Sequence, residues 1–207
     1  MAITIKKVIA YVDGFNLYFG LRAGHLKRFY WLDIRAMAQN LLKGNQRLTV
    51  TKYFTTRISG PPDKSKRQTT FLEALETLSD FEIYYGHYLS KPITCRNCGQ
   101  SWPRFEEKMT DVNIATEMLV DAFSDKFDTA LLISADSDLV RPVETIKKMF
   151  PQKRVIVFFP PNRSSAALKA VANVQLSIGH SLLAKCQFPD KVIKADGYVL
   201  QRPSEWR

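Results

Sequence analysis

Cysteine is scarce in this 207-residue chain. There are three, two of them only three positions apart, which is too few for a disulfide framework. Histidine is equally scarce. His25, His87 and His180 are scattered, so no Ser-His-Asp or Cys-His arrangement presents itself and each reads as structural or exposed. Long apolar runs are missing as well. Ala130–Ile133 and Val155–Phe159 fall far short of the ~20 residues that span a bilayer. The lysines near the N-terminus lead into an apolar run that Asp13 interrupts, with no small-residue cleavage site, which argues against a signal peptide. No internal repeat or low-complexity segment stands out. The expectation is a soluble, cytoplasmic protein with no membrane partner.

What is present is a composition that folds. Apolar residues make up 45% and aromatics 12%, enough to bury a core and to exclude wholesale disorder. The net charge of +10 is unevenly spread. Residues 1–70 hold thirteen basic and three acidic side chains, residues 71–150 eight and fourteen, and residues 151–207 nine and three. An acidic centre between basic flanks suits a cation site set in a surface that attracts polyanions.

Apolar periodicity alternates between strand and helix. Strands are expected at Val8–Val12, Leu48–Thr56, Phe81–Leu89, Thr129–Ile133, Arg154–Phe159 and Val174–Leu176. Helices are expected from an Asp33 cap through Leu42, and over Arg67–Leu78, Thr110–Phe123, Ser137–Met149, Ser164–Val171 and Gly179–Ala184. Such alternation predicts an α/β fold with a mostly parallel sheet covered by helices on both faces. One domain is expected over residues 1–185, with an irregular CxxC insert at about 91–106 and an irregular tail over 186–207.

In open α/β sheets ligands sit at the carboxyl ends of the strands. Two buried runs end there in carboxylates: Asp13-Gly14-Phe15-Asn16 and Ser134-Ala135-Asp136-Ser137-Asp138. If those strands are neighbours, Asp13, Asp136 and Asp138 converge. A third carboxylate, Asp111, sits in the first turn of the strongest helix, on its apolar stripe, after Glu106-Glu107-Lys108. Like charges brought that close raise one another's pKa unless a cation lies among them, and oxygen ligands at this density suit Mg²⁺ or Mn²⁺. Taken singly, each residue is equally a turn, a helix cap or a helix-start residue.

Together the three motifs, in this order and spacing, resemble the NYN domain of the PIN-like, 5′-nuclease-like superfamily, in its LabA-like branch, over about residues 5–180. The resemblance implies a Rossmann-like three-layer α/β/α sandwich. It implies that Asp13, Asp111, Asp136 and Asp138 bind Mg²⁺ or Mn²⁺, and that Asn16 fills the polar position of the first motif. It implies phosphodiester hydrolysis, of RNA rather than DNA. Ala135 stands where the family often has glycine. In that chemistry Lys108 contacts phosphate or balances the carboxylates, and Ser134 and Ser137 support the ligands by hydrogen bonds. A non-catalytic RNA-binding or regulatory module on the same fold is the rival reading. A haloacid-dehalogenase-type phosphatase is disfavoured, because Asp13 is not followed two residues on by another aspartate.

Two further signals stand apart. Cys95-Arg96-Asn97-Cys98-Gly99 reads as one knuckle of a zinc site, completed by Cys186 with His87 or by the same motif of a second chain in a homodimer; otherwise it is a pair of loop thiols. For nucleic acid, a single strand being favoured, the candidates are Arg22, Lys27, Arg28, Phe29, Tyr30 and Trp31, and a basic loop of Lys64, Lys66 and Arg67.

Overall fold

The computed structural model describes residues 4–58 and 60–207, with the side chain of Arg104 left aside. Residues 1–3 and Ser59, part of the expected 1–185 domain, lie outside the described residues. The chain opens with strand β1 (Lys6–Asp13), buried from Val8 onward on both faces. Its alternation sends Val8, Ala10 and Val12 into one apolar core and Ile9 and Tyr11 into another. The first core is closed by helices α1 (Gly14–Ala23), α2 (Ile34–Asn40), α3 (Pro62–Glu76) and α7 (His180–Lys185). The second is closed by α4 (Thr110–Phe123), α5 (Val140–Met149) and α6 (Ala166–Val171). The result is three layers around a six-stranded sheet.

The sheet runs β3 (Phe81–Tyr85), β2 (Gln46–Thr55), β1, β6 (Thr129–Ile133), β7 (Arg154–Phe159), β8 (Val174–Ser177). Every neighbouring pair is parallel. The chain winds outward from β1 to β3, then returns to place β6 against the other edge of β1. Strand order therefore reverses between β1 and β6, and the crevice at their carboxyl ends is where such sheets bind ligands. The condition set by the sequence, that these two strands be neighbours, is met.

Several local readings are corrected. Residues 14–23 form helix α1, which was not expected: Gly14, Asn16 and Gly20 interrupt its inner stripe, while large aromatics lie outside. The Asp13 carboxylate caps it, accepting from the Asn16 amide. The expected basic loop of Lys64, Lys66 and Arg67 is helical, because α3 begins at Pro62, where a missing N–H costs nothing. The expected strand Phe81–Leu89 is two strands, β3 and β4 (His87–Thr94), separated at Gly86. A Cβ at Gly86 would lie 2.5 Å from the Lys108 carbonyl and 2.7 Å from Glu107, so only glycine fits between them. The 91–106 insert is not irregular: β4 pairs antiparallel with β5 (Ser101–Lys108) in a ribbon of its own, Pro92 opposite Pro103. Facing prolines hid the strand signal, and only exposed strands tolerate them.

The tail is not irregular either. It carries an antiparallel pair, β9 (Lys191–Ile193) and β10 (Val199–Gln201), and it returns Trp206 to the first core, 6.2 Å from the Trp31 and Phe71 rings. No described helix is long and apolar enough to cross a membrane.

A charged network locks α4 to the sheet. Lys52 of β2, 3% exposed, lies 2.6 Å from Asp121 and 2.7 Å from Glu117, both on α4. The Tyr11 hydroxyl donates to Asp121 at 2.8 Å, and Lys126 sits 3.1 Å from the other Asp121 oxygen. Removing one partner of a buried pair leaves the other charge uncompensated, which costs about 3–5 kcal/mol. Lys52→Met is therefore expected to lower unfolding stability by about that amount in urea titrations, and adding Asp121→Asn to recover part of it.

Candidate metal centre and nucleic-acid face

The site grows from the last residue of β1. Asp13 is 2% exposed and its carboxylate accepts three hydrogen bonds: from the Asn16 amide at 2.9 Å, the Asn16 side chain at 2.8 Å and the Ser134 hydroxyl at 2.8 Å. Asn16 also accepts from the Ala135 amide at 3.2 Å, and Ser134 accepts from the Asp136 amide at 3.0 Å. One buried carboxylate thus ties the start of α1 to the loop leaving β6. Gly14 permits this contact, since a Cβ there would meet the Phe54 carbonyl at 2.7 Å.

From that loop Asp136 caps a short 3-10 turn, Ser137–Leu139, by accepting from the Asp138 amide at 3.0 Å. Asp111 arrives from the other side, in the first turn of α4. Oxygen atoms of Asp111, Asp136 and Asp138 all lie within 4.8 Å of one another. Among the described residues no lysine or arginine pairs with any of the three. Burial foremost, then the charges of Asp13, Asp136, Glu107 and Asp138, push the Asp111 carboxyl up to about 7. Asp13 is raised too, by burial above all, although its hydrogen bonds favour the charged form.

The structure thus brings three of the four expected carboxylates into one cluster. Asp13 lies outside that 4.8 Å group, with both oxygens accepting hydrogen bonds, and Asn16 orients it. Lys108 does not join the cluster: its ammonium lies 3.3 Å from Glu106, on the face of β5 opposite Glu107. Ser137 is exposed. Glu107, quoted above without a role, accepts from the Thr110 amide at 3.1 Å and from the Thr56 hydroxyl at 3.3 Å, closing the floor beside Asp111. The three carboxylates offer oxygen ligands partly open to solvent, and this set fits Mg²⁺ or Mn²⁺.

The expected nucleic-acid residues divide. Lys27 and Arg28 are exposed on a 3-10 turn after α1, but Phe29 and Trp31 are core residues and Tyr30 is half-buried. Lys64 and Lys66 are exposed at the start of α3, whereas Arg67 is committed to Glu205 at 2.7 Å. The sequence reading missed an aromatic ladder on the outer face of α1. Phe15 stacks on Phe19 at 6.3 Å, Phe19 meets Tyr18 at 5.3 Å, and Tyr18 meets Tyr30 at 5.2 Å. Tyr88 joins its far end, 6.5 Å from Phe15. The spacing 15, 18, 19 is helical and carries that signal once residues 14–23 are taken as a helix.

The NYN domain family model matches residues 7–179. The chain belongs to that family. Among curated relatives, this NYN domain is 27% identical to the 6-hydroxy-3-succinoylpyridine 3-monooxygenase of Pseudomonas putida, over 95% of this chain and 74% of that protein. Among solved structures it resembles a protein of unknown function from Vibrio parahaemolyticus, with a TM-score of 0.57 and 21% identity over 87% of this chain and 97% of the other. At that identity the second likeness bears on the fold alone.

The Asp111 carboxyl carries a pH dependence. Its folded pKa lies above its unfolded value, so the folded state binds more protons between about pH 4 and 7, and stability falls as pH rises through that window. In EDTA, Asp111→Asn is expected to melt higher than the parent at pH 8, by a few degrees at about 2–4 °C per kcal/mol, with a smaller gap at pH 4.5. Mn²⁺ should raise the parent's melting temperature at pH 8 more than the variant's.

Proposed function

We propose that this NYN domain is a divalent-metal-dependent nuclease that hydrolyses phosphodiester bonds in RNA. The observation that carries the reading is the cluster of Asp111, Asp136 and Asp138 at the strand-order reversal, charged alike and paired with no lysine or arginine among the described residues. Kinship with PIN-like nucleases supports it. The three aspartates would hold Mg²⁺ or Mn²⁺. Such a cation supplies a water of lowered pKa and offsets charge on the phosphate. Asp13, Asn16 and Ser134 act one step back, fixing the loop that presents Asp136 and Asp138. Phe15, Tyr18 and Phe19 offer stacking faces beside the cluster, and Arg22, Lys27 and Arg28 offer phosphate contacts, a combination suited to single strands.

A second reading, a small-molecule monooxygenase, has one observation in its favour: the relative so named aligns along nearly this whole chain. Hydroxylation of that enzyme's pyridine substrate by this protein, with no RNA cleavage under any cation, would establish it instead.

Asp136→Asn keeps the shape of the site and removes one charge. Losing a ligand in metal-assisted chemistry is worth several kcal/mol, so RNA cleavage in Mn²⁺ or Mg²⁺ is expected to fall about 100-fold or more. Binding of RNA in EDTA should stay level or tighten, because one repelling anion is gone. Tyr18→Ala with Phe19→Ala should instead weaken single-strand binding by about 1–3 kcal/mol per base unstacked, measured by anisotropy. Cleavage that survives both EDTA and Asp136→Asn rules out the aspartate cluster as its source. Binding without cleavage by the parent under every cation favours a non-catalytic RNA module.

A further inference from the structure

The β4–β5 ribbon stands outside both apolar cores. It runs from the pair His87 and Lys108 at its base to the pair Thr94 and Ser101 at its tip. A lone two-stranded ribbon is marginally stable in water. This one also exposes Leu89, Trp102 and Phe105, each by 42% or more. Its base is tied to the body by Tyr88 on Phe15 and by Glu107 on Thr110 and Thr56, but these apolar side chains are left without cover.

The tip carries Cys95-Arg96-Asn97-Cys98-Gly99. The Gly99 amide donates to the Cys95 carbonyl at 2.9 Å, and the Cys95 amide to the Gln100 carbonyl at 2.8 Å. Gly99 takes φ +71°, which closes the turn. The amides of Cys98 and Asn97 and the Cys98 thiol all face the Cys95 sulfur. Two sulfurs side by side, one cradled by backbone N–H groups, form one half of a tetrahedral thiolate site. A CxxC redox pair would open a helix, and here the chain runs straight into β5.

Among the described residues of this chain, no group sits where it could supply the other half. Cys186 is 2% exposed within the first core, and its carbonyl accepts from the Asp33 amide at 2.8 Å. His87 begins the strand, eight residues from Cys95, about 26 Å at ~3.3 Å per residue. Completion by Cys186 with His87 is therefore corrected. Among the described residues the aspartate cluster is the only group of three or more side chains set to share a metal.

We infer that two copies of this chain join at their ribbon tips, Cys95 and Cys98 of each completing a Cys₄ zinc site on a two-fold axis. Two identical half-sites close under two-fold symmetry with no ligand left over. Four thiolates around Zn²⁺ leave a double negative charge, and the Arg96 of each copy, inside the knuckle, brings two positive ones. Each thiol gives up its proton on binding. Trp102 and Ile93, paired directly below the tip, gain cover from the second ribbon. This inference is independent of the nuclease reading, since it uses no residue of the aspartate cluster.

Protein purified without chelator or added metal is expected to hold one zinc per two chains by elemental analysis, and to show twice the 23.7 kDa chain mass by light scattering. Cobalt(II) in place of zinc should give the intense visible bands of a tetrahedral thiolate site. Cys95→Ser and Cys98→Ser should lose zinc and run as monomers with unchanged circular dichroism. A zinc-selective chelator in excess Mg²⁺ should split the parent dimer and added zinc restore it, a test that stands even if the serine variants misfold. One zinc per chain, zinc in a monomer, a Cys95–Cys98 disulfide, or no zinc with both thiols freely reactive would each overturn the inference.

Discussion

A carboxylate that is 2% exposed at the end of a buried strand must be satisfied, and the way Asp13 is satisfied organises the carboxyl edge of the sheet. Asn16 meets it from the first turn of α1, and Ser134 meets it from the loop after β6. The same two side chains take up the amides of Ala135 and Asp136. Two loops that are 121 residues apart in sequence are thereby joined through one acceptor, and the position of Asp136 follows from it.

Placing carboxylates at that edge is unfavourable by itself: burial first, and then the neighbouring carboxylates, raise the Asp111 carboxyl. Helix α4 carries the opposing terms. Its N-terminal dipole favours the anion in its first turn. Toward its other end Glu117 and Asp121 are drawn onto Lys52. Attraction at one end of the helix holds the other end where repulsion is greatest.

The ribbon enters between these two systems. Gly86 lets it leave β3 against the Lys108 carbonyl, and Glu107 at its return strand braces Thr110 and Thr56 next to Asp111. Met109, at φ +82°, turns the chain from β5 directly into α4. A ribbon fixed at its tip would therefore be held at both ends, one of them one residue from the helix that carries Asp111.

The buried runs β1, β6 and β7 and the stripe of α4 were legible because each is apolar enough, at a single period, to declare itself without neighbours. The strand-end carboxylates were legible for the same reason: they terminate those runs. Helix α1, the ribbon and the structured tail were not. Glycines and an asparagine interrupt the inner stripe of α1 around Leu17 and Leu21, the ribbon strands face solvent and contain prolines, and the tail's aromatics find their partners only across the fold. Sequence determined which residues could carry charge to the sheet edge. Tertiary structure decided which of them meet. Placing β6 beside β1 set Ser134 on Asp13 and brought the loop bearing Asp136 and Asp138 within reach of Asp111. It also turned Lys108 away and buried Phe29 and Trp31. Which face a side chain takes depends on strand parity and helix phase relative to neighbours that local sequence does not specify.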